Sequence, residues 1–150
     1  MMYGNWVANA TVVGATFGAV VLCVLAHYEG LIGLSRRLGR LHPRHQRAKV
    51  LYAILTVVFL HVAEIWIFGV FFWLLLLWPA CGAIAGQAAL HFLDAIYLSA
   101  ITYSTVGYGD LAPLGPIRFL AGTEALVGFV MITWSASFTF LEMQRYWQHP

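Results

Sequence analysis

The sequence predicts an all-α membrane protein with three transmembrane helices and one short re-entrant helix. Three observations carry this. Charged residues make up 9% of the 150 residues and hydrophobic residues 61%, against roughly 25% charged in a typical soluble domain. So few charges do not cover a water-exposed surface. The mean hydropathy of +0.80 excludes disorder as well, which needs low hydrophobicity and high charge. Second, three apolar runs are each long enough to cross a hydrocarbon core of ~30 Å. Third, a shorter apolar run lies between the second and third of them. The net charge of +2 does not point to an acidic partner.

The first run extends from about Trp6 to Ile32, and residues 1–34 form the N-terminal transmembrane helix. No charge falls between Thr11 and Ala26. A cleaved signal peptide would need a basic n-region and a short apolar core, but here the basic cluster follows the run. Gly14 and Gly18 give a GxxxG spacing, which permits close helix contact in lipid. Residues 35–49 then read as a basic cytoplasmic loop. Arg36, Arg37, Arg40, Arg44, Arg47 and Lys49 are six of the eight Lys and Arg in the chain. The positive-inside rule places them in the cytoplasm and the N-terminus outside. The arginines set topology alone, or they also form a polybasic patch for anionic membrane lipids.

The second span runs from Val50 to Trp78 and stops at Pro79. A straight helix of that length measures roughly 43 Å, so it tilts or projects past the membrane. Trp73 and Trp78 suit interfacial anchors at its outer end. The third span runs from Ile117 to Met143, with Arg118 outside and Arg145 at the cytoplasmic end, so the C-terminus is cytoplasmic. Between the spans, Cys81 to Gln87 reads as a small-residue turn. Ala88 to Tyr103 is helical in pattern but short for a full span. Re-entrant backbone is tolerated only where protein buries it or water reaches it, which implies a pore or a binding cavity. Cys23 and Cys81 lie far apart and suggest neither a disulfide framework nor a metal knuckle.

The residues that carry chemistry follow the short helix: Thr105-Val106-Gly107-Tyr108-Gly109, then Asp110. An ion that loses its water needs oxygen ligands on all sides. An extended backbone aims successive carbonyls at one axis only where alternate residues leave the usual φ/ψ regions, and Gly107 and Gly109 permit that without steric cost. Thr105 adds a hydroxyl at the inner mouth. Val106 and Tyr108 are expected to brace the strand from behind. The short helix directs the partial negative charge of its C-terminal end toward the ion. TVGYG is the carbonyl filter motif of K⁺ channels, with K⁺ held at Thr105, Val106, Gly107 and Tyr108. One chain supplies one strand of a ring of four, so a homotetramer is expected.

From about Leu51 to Tyr146 the sequence resembles the pore domain of small potassium channels, especially the bacterial pore-loop type. The resemblance rests on Asp94-Ala-Ile-Tyr97-Leu-Ser99, TVGYGD, Arg118, Glu124 with Gly128, and Trp134-Ser135-Ala136-Ser137. It implies a pore domain over 50–150, with outer helix 50–78, pore helix 88–103, selectivity filter 105–109 and inner helix 117–143. It also implies passive K⁺-selective conduction, K⁺ as the permeant ion, no organic cofactor and no enzymatic step. Three positions depart from the pattern. Tyr97 stands where relatives place a Trp that bonds the filter Asp. Ile101 stands where some bacterial channels carry a Glu behind the filter. Phe129 occupies the hinge-glycine position of many relatives, one residue after Gly128.

Projected at 100° per residue, the third span places Glu124, Gly128, Met131, Ser135 and Glu142 on one stripe. Val130, Thr133, Ser137, Phe140 and Gln144 lie opposite. The family's cavity-lining spacing maps onto Val130, Thr133 and Ser137, with Phe140 as a hydrophobic constriction. The alternative for the hydroxyls is bonding to their own helix backbone. Glu124 then meets the pore helix near Ser99, Thr102 or Tyr103. An intramembrane carboxylate is a functional-site candidate by default, and the plainer reading is a brace behind the filter, beside Tyr97 and Asp110. Glu64 in the second span has His61 one turn before it. They form a pH-sensitive pair or, with too few ligands between them, a metal site. His27, His42, His45, His61, His91 and His149 are scattered along the chain, and no nucleophile–base pair or phosphate loop stands out. No span carries the spaced arginines of a voltage sensor, and no cytoplasmic ligand domain is expected, so gating at the filter is the simplest expectation. A non-conducting interaction subunit with a retained pore fold is the competing function, though a scaffold has no need of two strained glycines. A transporter subunit would repeat a single-glycine filter four times in one chain.

Overall fold

A computed structural model describes residues 4–40, 46–86 and 91–147. Its long elements are α1 (Trp6–Arg40), α2 (Gln46–Leu76) and α4 (Arg118–Trp147), with the short α3 (Phe92–Tyr103) between the last two. The three long helices are each apolar and long enough to cross a membrane. The protein is thus an all-α, multi-pass membrane protein.

The helices run further than the apolar pattern marked. Ser35–Arg40 complete α1 and Gln46–Lys49 open α2, so the expected loop 35–49 is largely helical. Arg and Leu are strong helix formers. Leu31, Leu34 and Leu38 also stay buried against Ala53 and Val57 of α2, which holds the last turns of α1 in place. Arg36, Arg37, Arg40 and Arg47 are exposed, and Arg37 donates to the Tyr52 hydroxyl at 3.3 Å. Arg44 lies outside the described residues, as do 88–90, where the short helix was expected to begin.

The segment read as a turn contains more structure. After a 3₁₀ turn at Pro79–Cys81 comes β1 (Ala83–Ala85), which pairs antiparallel with β2 (Ala112–Leu114). Ala83 faces Leu114, Ile84 faces Pro113 and Ala85 faces Ala112. This ribbon joins the chain before α3 to the chain just after residues 105–110, so it fastens both ends of the re-entrant loop.

In the packing, α3 sits against α2 and α4, and α1 also packs against α2 and α4. One core joins all four helices. It includes Ala19 and Cys23 of α1, Phe68 and Phe72 of α2, Leu98 and Tyr103 of α3, and Leu120 and Met131 of α4. The buried stripe of α1 is Ala8, Val12, Thr16, Ala19, Cys23, His27, Leu31, Leu34 and Leu38. Its steps of three and four residues follow one helix face. Gly14 and Gly18 are not on it: Gly14 faces open space and Gly18 reaches only the Phe71 ring, at 3.9 Å. Cys23 and Cys81 are free and buried.

Candidate functional site

The site begins with how α3 is anchored. Its N-cap is His91, whose N–H donates to the Asp94 carboxylate at 2.8 Å. A negative side chain there also suits the positive end of the helix dipole. Phe92 is held edge-on by Trp73 at 5.4 Å and by Trp66 at 6.0 Å, so Trp73, read as an interfacial anchor, also clamps the start of α3. At the other end the chain leaves the helix without breaking its hydrogen bonds. Ser104 N–H reaches the Ala100 carbonyl at 3.1 Å, Thr105 N–H reaches Thr102 at 2.9 Å, and Gly107 N–H reaches Ile101 at 3.0 Å.

From there the backbone alternates. Thr105 has φ 59°, Gly107 52° and Gly109 81°, while Val106 and Tyr108 stay at negative φ. A Cβ added at Gly107 or Gly109 would meet nothing in this chain, so the left-handed backbone alone requires glycine there. Thr105 has no such freedom. It is the one non-glycine residue at positive φ among those described, and a β-branched residue there is strained. The sequence placed Thr105 in the filter together with the two glycines but gave no sign of its positive φ, because a threonine carries no outward mark of it. The side chains of Val106 and Tyr108, expected to lie behind the strand, are 55% and 73% exposed in the single chain.

Two expected supports meet partners. Tyr97 Oη donates to Asp110 Oδ2 at 2.8 Å, which ties α3 to the residue after the loop. Glu124 is fully buried and its Oε1 lies 2.5 Å from Ser99 Oγ, which also lies 2.8 Å from the Ile65 carbonyl. Ser99 therefore links α2, α3 and α4. Four residues on, Gly128 packs directly on the C-terminal end of α3. A Cβ at that position would fall inside the Tyr103 carbonyl group, so close approach requires glycine there.

The faces of α4 divide cleanly. Glu124, Gly128, Met131, Ser135 and Glu142 are buried, whereas Val130, Thr133, Ser137 and Phe140 are exposed in the single chain. Thr133 donates to the Val130 carbonyl at 2.9 Å and Ser137 to the Thr133 carbonyl at 3.0 Å. Both hydroxyls thus bond their own helix backbone, the alternative that the sequence left open, and each keeps acceptor capacity.

One constellation was not legible as a whole. His61 and Glu64 of α2 do lie together, with His61 Nδ1 3.0 Å from Glu64 Oε2. His27 of α1 joins them, its Nδ1 2.7 Å from Glu64 Oε1. Tyr103, the last residue of α3, donates its hydroxyl to Glu64 Oε2. The signal that would have found His27 is its place on the three-and-four stripe of α1, which the charge-free run concealed.

A multi-pass membrane protein whose short helix enters between two spans has the plan of a pore. The sequence model of a family described as ion channel matches residues 50–145. The chain belongs to this ion channel family, and its likeness to the small potassium channels stands with it. Among curated proteins it is 42% identical over 53 residues to Protein LctB of Geobacillus stearothermophilus, covering 35% of this chain and 40% of that one. To Protein LctB of Bacillus caldotenax it is 53% identical over 38 residues, 25% of this chain and 28% of that one. To the inward rectifier potassium channel Kirbac3.1 of Paramagnetospirillum magnetotacticum it is 37% identical over 68 residues, 44% of this chain and 23% of that one. The matches thus span less than half the length of each relative. No solved structure matches significantly.

Proposed function

We propose that this chain is one subunit of a homotetrameric, K⁺-selective channel that conducts passively through residues 105–109. The observation that carries the reading is the alternation of left-handed φ at Thr105, Gly107 and Gly109. It suits a strand whose carbonyls serve as ion ligands, and an ordinary loop has no reason to hold a threonine there. Four strands around one axis would replace the hydration shell of K⁺ at Thr105, Val106, Gly107 and Tyr108. The same ring would place neighbouring copies against the exposed Val106 and Tyr108.

Tyr97, Asp110 and Glu124 then serve as filter supports. Val130, Thr133 and Ser137 line the cavity below, and Phe140 forms its narrow inner end. The N-terminus lies outside and the C-terminus in the cytoplasm, with Arg36, Arg37, Arg40, Arg44 and Arg47 near anionic lipid headgroups. The Ser99 link, through which Glu124 joins α4 to α3, supports gating at the filter. Flux from liposomes holding the purified chain tests the reading. K⁺ and Rb⁺ are expected to pass and Na⁺ to be retained; liposomes that pass none of the three would leave the chain as a non-conducting subunit.

A further inference from the structure

We propose that His27, Glu64 and His61 form a site for one divalent transition-metal ion of the zinc type, built where the first span meets the pore domain. The ligand atoms of the three side chains all lie within 4.8 Å of one another. His27 Nδ1 stands 2.7 Å from Glu64 Oε1 and His61 Nδ1 stands 3.0 Å from Glu64 Oε2. Tyr103 Oη, 3.0 Å from His61 Nδ1, brings a fourth donor to the same point. Two imidazole nitrogens and a carboxylate oxygen, with one further oxygen or a water, are the ligands of a tetrahedral zinc site. Bonds of ~2.0–2.2 Å in that geometry separate ligand atoms by about 3.3 Å, so the pairs at 2.7 and 3.0 Å open and the wider separations, within 4.8 Å, close as an ion enters. Calcium and magnesium are disfavoured, because they take six or more oxygens.

The surroundings meet the other requirements of a metal site. A ligating histidine is held by a partner on its second nitrogen, and His27 Nε2 lies 3.4 Å from Ser135 Oγ of α4. The Trp134 ring sits 5.0 Å from the His27 ring and shields that side. Glu64 and His27 are fully buried, while His61 is partly exposed. A groove of about 370 Å³ lined by Val57, Val58, His61, Ile132, Ser135 and Thr139 gives a path to it. A carboxylate at bilayer depth is costly without a positive partner, and a divalent cation supplies one. The ligands come from α1 and α2, and Tyr103 ends α3 two residues before Thr105. The bound ion would pin the first span to the pore domain beside the loop.

The test uses the full chain, purified in detergent, loaded with Zn²⁺ and then with Co²⁺ as a spectroscopic substitute. The expected result is one Zn²⁺ per chain by elemental analysis. X-ray absorption should show two histidine nitrogens, and Co²⁺ should give the visible bands of a tetrahedral ion, removed by Zn²⁺. His27→Gln and Glu64→Gln should each weaken binding at least tenfold, while a variant with His42, His45 and His149 all changed to Gln should bind as wild type. If the core variants do not fold, X-ray absorption of the wild type decides alone. A zinc shell without two histidines, or no zinc above the level of background adsorption, would overturn the proposal and leave a hydrogen-bonded network. The readout is metal and not current, so failure of the channel reading leaves it standing.

Discussion

Tyr97 is tied to Asp110 at the end of the loop and Glu124 to Ser99 within α3, each through one hydrogen bond. The Asp110 carboxylate beside Tyr97 raises its phenol above the ordinary range, so the hydroxyl keeps its proton and donates across physiological pH. Tyr97→Phe removes that donor and nothing else. The expected outcome is a shorter mean open time in planar-bilayer recordings with the subunit assembly unchanged; identical open times would detach the contact from the filter's stability. At Glu124 the geometry is tighter. The Ser99 hydroxyl has one proton and faces two acceptors, the Ile65 carbonyl and Glu124 Oε1. Glu124 Oε2 is buried with no partner among the described residues. A glutamine at that position offers the same shape with its own N–H donors. Glu124→Gln should therefore keep near wild-type thermal stability. Glu124→Ala should lose about 1–3 kcal/mol for the broken buried bond and open less often. Equal melting temperatures for Glu124→Ala and wild type would reduce Glu124 to a tolerated buried acid.

At the scale of the elements, α4 is held to α3 at Gly128 and Glu124, one turn apart on the same buried stripe. Gly128→Ala forces a methyl into the Tyr103 carbonyl, and such overpacking costs about 1–3 kcal/mol. The variant should melt earlier than wild type and pass less K⁺ in liposome flux. A fully stable, fully active Gly128→Ala would show that α4 does not press on α3 as described. The elements also show what sequence can and cannot carry. The spans were legible because lipid demands long apolar runs, and the glycines of the loop because a left-handed φ restricts residue type. The ribbon of β1 and β2 was not, since Ala83–Ala85 has no alternating pattern and Pro113 argues against a strand except at an edge. The ends of α1 and α2 were hidden because basic residues mark a loop by charge while favouring helix by propensity. The stripe of α1 marks His27 as inward-facing, but its pairing with Glu64 depends on which face of α2 that stripe meets, a long-range fact.

For the whole molecule, the single chain leaves apolar and hydroxyl-bearing side chains exposed that no described residue covers: Val106, Tyr108, Val130, Thr133, Ser137 and Phe140. Four copies around one axis would cover the outer ones and leave the hydroxyls toward water. Native mass spectrometry of the detergent-purified chain is expected to give four subunits, and a monomer that persists at high protein concentration would count against the ring. The ion channel family membership fixes the class of the protein, and the proposed selection of K⁺ rests on the alternating backbone of Thr105, Gly107 and Gly109. The reversal potential in a planar bilayer with K⁺ on one side and Na⁺ on the other measures that selection. The expected potential lies close to the K⁺ equilibrium value, with Rb⁺ able to replace K⁺. A reversal potential near zero, or one that follows the Na⁺ gradient, would contradict it.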